Sequence, residues 1–416
     1  MKTKSLVVFG SLLAALVGLS NVVAQSRFNA QLLPPHRPRP LAPSRVAPPP
    51  PIPRFGDPLP GLTPAQLAAF SAGLDEFTNV ETIAGGLGPI FNNVSCVACH
   101  FGPAVGGSSA ITVTRFGRMV NGVFDPLAEK GGSLLQEFSI DPAVREVVPP
   151  EANVIAHRRT TPLFGMGLIE AIPDDAIRQN ALRAKPDGVA GRVSELTDIT
   201  TGKKRVGHFG WKLQQATLLA FSADAYLNEM GITSRFFPNE NAPNGNATLL
   251  ALFDTTMDPE DEVDPRTGRG DIDAAADFMR LLAPPARLPL SPSARAGEPL
   301  FNQVGCAVCH TPVMQTGPSP IAALDRKPVW LFSDLLLHDM GSLGDGIAQG
   351  TATTREMRTA PLWGLRASAP YLHDGRAPTV HDAIAAHDGE GRVSRDRYLR
   401  LTPLQRQQLL DYLAAN

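Results

Sequence analysis

Cysteine is scarce in this chain, with four residues in 416. That excludes a dense disulfide scaffold, which needs roughly one residue in ten to be cysteine. An excess of charge of either sign is also missing. The formal net charge of −2 gives no basic footprint of the kind that holds nucleic acid. Aromatic residues make up only 6%, and strand signals are sparse. After an early apolar run, Leu6 to Leu19, no stretch approaches the roughly 20 unbroken apolar residues of a spanning helix. What is present is globular: 43% hydrophobic and 19% charged residues, in a length that implies two or three domains.

The first 24 residues are expected to be a signal peptide. Lys2 and Lys4 precede the apolar run, and Val22-Val23-Ala24 offers small residues for cleavage before Gln25. The mature protein is therefore expected to be exported, periplasmic where there is a periplasm, and not membrane-spanning. Residues 25–60 read as a proline-rich linker, densest at Pro48-Pro49-Pro50-Pro51. A second proline cluster, Ala283 to Pro292, sets a boundary between domains expected at 61–285 and 286–416. Thr63-Pro64-Ala65-Gln66 and Thr402-Pro403-Leu404-Gln405 both predict a capping box with proline at the first helical position. Leu67, Phe70, Leu74 and Phe77 after the first, and Leu409, Leu410 and Leu413 after the second, hold helical spacing. With glycine and proline breaking the rest into short helices and long loops, the fold class expected is mainly α.

Two segments recur in the same order. Pro89-Ile90-Phe91-Asn92-Asn93-Val94-Ser95-Cys96-Val97-Ala98-Cys99-His100 returns as Pro299-Leu300-Phe301-Asn302-Gln303-Val304-Gly305-Cys306-Ala307-Val308-Cys309-His310. Arg159-Thr160-Thr161-Pro162-Leu163-Phe164-Gly165 returns as Arg358-Thr359-Ala360-Pro361-Leu362-Trp363-Gly364. An internal duplication is the simplest reading, giving two helical, cytochrome c-like domains, the first with a long insertion.

All four cysteines sit in C-x-x-C-H, the attachment motif for c-type haem. Two thiols add to the haem vinyl groups, and the adjacent histidine gives the proximal nitrogen to iron. A zinc site needs its cysteine pairs some 15–20 residues apart, whereas these lie half the chain apart. Two covalent haems are therefore expected, held by Cys96 and Cys99 with His100, and by Cys306 and Cys309 with His310. Spacing alone leaves the sixth iron position open among His157, His208, His338, His373, His381, His387, Met166, Met230, Met340 and Met357. His36 falls in the linker.

Asp334-Leu335-Leu336-Leu337-His338-Asp339-Met340-Gly341, the Arg358 to Gly364 segment and Leu372-His373-Asp374-Gly375-Arg376-Ala377 resemble the di-haem oxidoreductase family of peroxidase-like proteins. Phe209-Gly210-Trp211-Lys212 and Asn228-Glu229-Met230-Gly231-Ile232-Thr233 resemble it too. That family is similar in turn to bacterial di-haem cytochrome c peroxidases and MauG-type enzymes. Pro370-Tyr371-Leu372-His373-Asp374-Gly375 resembles a proline-tyrosine-phenylalanine-histidine-aspartate-glycine element of those peroxidases, in which the second haem's distal methionine follows the histidine by fourteen residues. Here His387 stands fourteen residues after His373, which implies a bis-histidine, low-spin second haem; Met340 is the alternative. Trp211 and His373, each six residues before a threonine, look like repeat equivalents. The resemblance implies that Trp211 lies between the haems as packing or relay, and that Glu229 is the acid–base group over the reactive haem. The accompanying glutamine is replaced by Phe221, and no ligand stands at the equivalent position, Ala225.

The acidic run Asp258-Pro259-Glu260-Asp261-Glu262, with Asp264, Asp271 and Asp273, offers carboxylates to calcium but lacks the EF-hand order. A solvated loop is the better reading. The expectation is an exported di-haem oxidoreductase with a reactive N-terminal haem and an electron-transfer C-terminal haem. It would take peroxide or dioxygen and exchange electrons with a redox partner protein. The alternatives are a di-haem electron carrier without a substrate, and an oxygenase or oxidase on the same scaffold.

Overall fold

Thr63 and Thr402 each accept a hydrogen bond from the backbone N–H of the third helical residue, and each donates its own N–H to that glutamine's side chain. The computed structural model in which these caps are seen describes residues 52–256 and 262–416. The expected signal peptide, most of the proline-rich stretch and Asp258 to Asp261 of the acidic run lie outside the described residues. Among those described there are ten α-helices: α1 (Pro64–Thr78), α2 (Met166–Glu170), α3 (Asp174–Leu182), α4 (Leu218–Ala225), α5 (Ala247–Phe253), α6 (Asp271–Leu281), α7 (Pro292–Gln303), α8 (Val380–Ala385), α9 (Arg392–Leu399) and α10 (Pro403–Ala414). None is long and apolar enough to cross a membrane.

The mainly α expectation is wrong. Helix accounts for 34% of the structure and strand for 15%. The largest sheet is built on the strand Thr112–Val120, which pairs antiparallel with Val154–Arg159, Val123–Asp125 and Leu134–Leu135. The remaining pairs are short, two or three residues a side. Strands this brief carry no readable alternation, and the one long strand interrupts its own with Arg115, Gly117 and Arg118.

Two helix crossings frame the cysteine motifs. In the first half α1 packs on α6, where Gly73 allows the close approach: a Cβ there would lie 2.3 Å from the Ala274 carbonyl oxygen. Phe70 and Phe77 of α1 close on Phe278 of α6 at 5.3 and 4.8 Å between ring centroids. Leu67, counted in the same stripe, is exposed. In the second half α7 packs on α10, and Gly297 meets the Gln408 carbonyl in the same way, at 2.0 Å from a would-be Cβ. Phe301, Phe332 and Tyr412 fill that second core.

Backbone geometry recurs around Trp211 and His373. Gly210 and Leu372, each one residue earlier, have φ of 84° and 72°, and Leu213 and Gly375, two residues later, have 51° and 74°. Phe209 bridges Gln215 as Tyr371 bridges Ala377. Thr217 then caps α4 and Thr379 caps α8. The halves are also reciprocally joined. The Arg159 N–H donates to the His373 carbonyl at 2.7 Å, and the Arg358 N–H donates to the Trp211 carbonyl at 2.9 Å. The Arg159 guanidinium reaches the Pro370 carbonyl, and the Arg358 guanidinium reaches the His208 carbonyl. Each half's arginine segment thus docks on the other half's aromatic segment.

Candidate functional site

In both halves the cysteine motif forms one tight turn. The His100 N–H donates to the Cys96 carbonyl at 3.1 Å, and the His310 N–H to the Cys306 carbonyl at 2.9 Å. No two of the four cysteines are joined in a disulfide. Burial pushes the Cys96 and Cys306 thiols up to about 12, with Glu76 and Glu81 adding to the shift at Cys96.

The second motif opens on a cavity of about 260 Å³, whose walls include Cys306, Cys309, His310, His387, Trp211 and Arg358. The His310 and His387 rings face each other across it, 6.5 Å between centroids. Two imidazoles bound to one metal ion through nitrogens at about 2 Å would place their ring centres at about 6 Å. The His310 Nδ1 donates to the Phe332 carbonyl at 3.0 Å and the His387 Nδ1 to the Ala383 carbonyl at 2.8 Å. Such bonds fix the tautomer that presents Nε2. Burial pushes His310 down to about 4 and lowers His387 too, so both rings are neutral, the form that ligates. These residues fit a haem held between them. Met340 and Met357 also line this cavity.

At the first motif the His100 Nδ1 donates to the Gly107 carbonyl at 3.1 Å, and the ring meets the edge of Phe77 at 5.9 Å. Burial pushes this histidine, too, down to about 4. Glu229 stands nearby on a π turn, Tyr226–Met230, that prolongs α4. Its carbonyl accepts from the N–H groups of Asn92 and Asn93, just ahead of Cys96, and its Oε2 accepts from the Asn92 side chain at 2.9 Å. Burial pushes the Glu229 carboxyl up, Asp224 adds to this, and Arg115 and Asn92 oppose it. The Glu229 charge in turn raises the Cys99 thiol, after burial itself. Arg115 brings a buried Nε that has no partner among the described residues. Ala225 ends α4 with a side chain that cannot ligate. The two neighbours that could reach across are engaged: the Tyr226 hydroxyl donates to Glu76, and Met230 packs with Leu87 and Ile272.

Trp211 and the segment Arg159 to Thr161 line the C-terminal cavity. The Trp211 Nε1 donates to the Arg159 carbonyl at 3.1 Å, and the indole meets His373 edge-on at 6.3 Å. Thr160 and Thr161 line the C-terminal cavity while also reaching Cys99 and His100. Of the other candidate ligands, His208 has both ring nitrogens on backbone carbonyls, Val206 at 2.9 Å and Ile172 at 3.1 Å. His338 has both on carboxylates, Glu390 at 2.7 Å and Asp334 at 3.0 Å. His381 bonds the Tyr398 hydroxyl, and His157 is exposed on its strand. The described part of the acidic stretch forms ion pairs, Asp264 with Arg266 and Asp273 with Arg235.

Two features were not read from the sequence. One is the buried ion cluster in which Asp345 holds Lys212 at 2.9 Å and Arg158 at 2.7 Å. The other is Arg358 in the cavity wall, for which the recurring arginine of the repeat was the available signal.

No match was found among curated proteins. Three solved structures are similar to this chain. The hydrazine synthase of Kuenenia stuttgartiensis is 16% identical, with 96% of this chain and 100% of that chain covered and a TM-score of 0.39. The diheme peroxidase BthA of Burkholderia thailandensis is 15% identical, covering 83% and 85%, at 0.37. A MauG-like protein associated with microbial copper homeostasis is 16% identical, covering 61% and 88%, at 0.31. The family model described as "Di-haem oxidoreductase, putative peroxidase" matches residues 146–415, well over half of the chain. With this match and its two cysteine–histidine motifs, this chain belongs to the di-haem oxidoreductase family.

Proposed function

We propose that the protein is an exported, c-type di-haem peroxidase in which the haem on His100 meets the substrate and the haem on His310 supplies electrons. The observation that carries this is the asymmetry between the two sites. His387 faces His310 at 6.5 Å, whereas the matching position in the first half is Ala225, with Glu229 a few residues beyond. Bound haem supplies the redox chemistry; the chain supplies the rest. His310 and His387 close the second site on both sides. Cys96 and Cys99, like Cys306 and Cys309, hold the group covalently as thioethers.

Glu229 is the proton carrier. Its carboxylate accepts a proton from hydrogen peroxide and returns it to the departing oxygen, which leaves as water. Burial, which raises this carboxyl, strengthens it as the base that takes the proton. Arg115 lies close enough to oppose that rise, and its positive charge stabilises negative charge developing on the substrate oxygens. Trp211, hydrogen-bonded to Arg159 and packed on His373, walls the C-terminal site. Two electrons from a redox partner protein and two protons from solvent reduce the remaining oxygen to a second water, so that each peroxide yields two waters.

Peroxide turnover by the purified protein, with its resting EPR spectrum, tests this. The parent should show high-spin iron at one haem, in the resting or half-reduced state, and should turn over peroxide. Glu229→Gln should keep both haems reducible yet be slower by roughly 10²–10⁴-fold, the usual worth of a general acid–base. Two low-spin haems in every redox state and no peroxide reaction would instead identify an electron carrier.

A further inference from the structure

Arg358 is 7% exposed and lines two cavities at once, the one around His310 and a smaller one of about 50 Å³ against Trp211. Its guanidinium makes one hydrogen bond, Nη1 to the His208 carbonyl at 3.3 Å, and its Nε is buried without a partner among the described residues. Burial alone pushes the guanidinium down, to about 10, and no carboxylate among the described residues opposes it. The repeat counterpart is different. Arg159 bonds the carbonyls of Ser109, Ser368 and Pro370 and the Ser108 hydroxyl, so all three of its nitrogens are used. Arg395, also in the cavity wall, bonds Asp396 and the His387 carbonyl.

A buried cation with open donors and no counter-charge is costly unless something anionic completes it. The guanidinium fork matches a carboxylate in shape and charge. Haem carries two carboxylates on its propionate arms. We propose that Arg358 anchors one propionate of the haem in the C-terminal cavity, setting that carboxylate edge beside Trp211, whose carbonyl accepts the Arg358 N–H. This rests on the covalent haem proposed above for Cys306 and Cys309. Arg358 is then a positioning residue, and its charge also favours the reduced, less positive state of that haem.

The test is redox titration of the haem-loaded protein as parent, Arg358→Gln and Arg358→Lys, with haem counted by absorbance and covalent attachment checked by haem stain. Arg358→Gln should keep both haems and lower the midpoint potential of the low-spin C-terminal haem, leaving the other unmoved. Arg358→Lys, which keeps the charge, should restore most of the shift. An unmoved potential in Arg358→Gln, or equal shifts in both variants, overturns the assignment. If Arg358→Gln does not mature, the comparison of Arg358→Lys with the parent decides: a large shift there counts against it. A parent without covalent haem at Cys306 and Cys309 overturns the haem reading itself, an outcome visible before any titration.

Discussion

A single side chain separates the two motif sites. Fourteen residues beyond Trp211 stands Ala225, and fourteen beyond His373 stands His387. The His387 ring is held by its Nδ1 on the Ala383 carbonyl, one helical turn back, so its direction is set by the end of α8. If His387 closes the second iron, His387→Met should keep that haem low-spin while raising its potential, because thioether ligation favours ferrous iron. His387→Ala should open the site and turn that haem high-spin. Optical and EPR spectra with a redox titration read both; spectra and potential identical to the parent in both variants transfer the role to Met340 or Met357. The cysteine motifs were legible because their chemistry is tied to a fixed interval, whereas His387, whose ring lies 6.5 Å from that of His310, was singled out only through the family resemblance. His338 and His208 were not separable from ligands by sequence, since what occupies them are partners distant in the chain, Glu390, Asp334, Ile172 and Val206.

At the scale of elements, the motif-bearing turns depend on helices crossing closely behind them. The capped helices α1 and α10 were readable from threonine, proline and glutamine, because capping is local chemistry. Short strands were not, because pairs such as Leu337–Asp339 with Glu356–Arg358 are stabilised by their partners and not by their own pattern. The π turn that carries Glu229 likewise has no sequence signature. It changes the aim of the side chain relative to a regular helix, as such turns do at functional sites. The crossing of α7 and α10 is where one atom decides the outcome. A Cβ at Gly297 would fall 2.0 Å from the Gln408 backbone oxygen, which is not free to swing away. Gly297→Ala should therefore cost about 1–3 kcal/mol, the usual penalty of overpacking. It should lower the thermal midpoint and loosen the cavity wall formed by Phe301 and Leu413. Thermal unfolding of the haem-loaded protein checks this; an unchanged midpoint would mean that the helices separate freely.

Across the whole molecule, the halves are held together by more than apolar contact. Asp345 belongs to the second half, and both cations that it pairs with, Lys212 and Arg158, belong to the first. Lys212 is fully buried, donates also to the carbonyls of Thr353 and Glu356, and directly follows Trp211. Its sequence motif was visible, but its burial was not, since an isolated lysine reads as a surface residue. Removing the shared anion is worse than removing one cation. Asp345→Asn leaves two buried cations short of a counter-charge and should cost about 3–5 kcal/mol. Lys212→Met leaves Asp345 with Arg158 and should cost less. A pH signature accompanies the pair. Burial pushes Lys212 down to about 8, against the pull of Asp345, while the ordinary lysine value is 10.5. Between those values the unfolded chain holds a proton that the folded chain has released, so stability should rise with pH across that window. Below about 8 the cost of keeping the buried charge is present in full. Denaturant unfolding at a series of pH values should show this rise in the parent and its loss in Lys212→Met. A parent curve that stays flat or falls across the window would mean that Lys212 keeps its proton in the fold, its charge held by the Asp345 carboxylate.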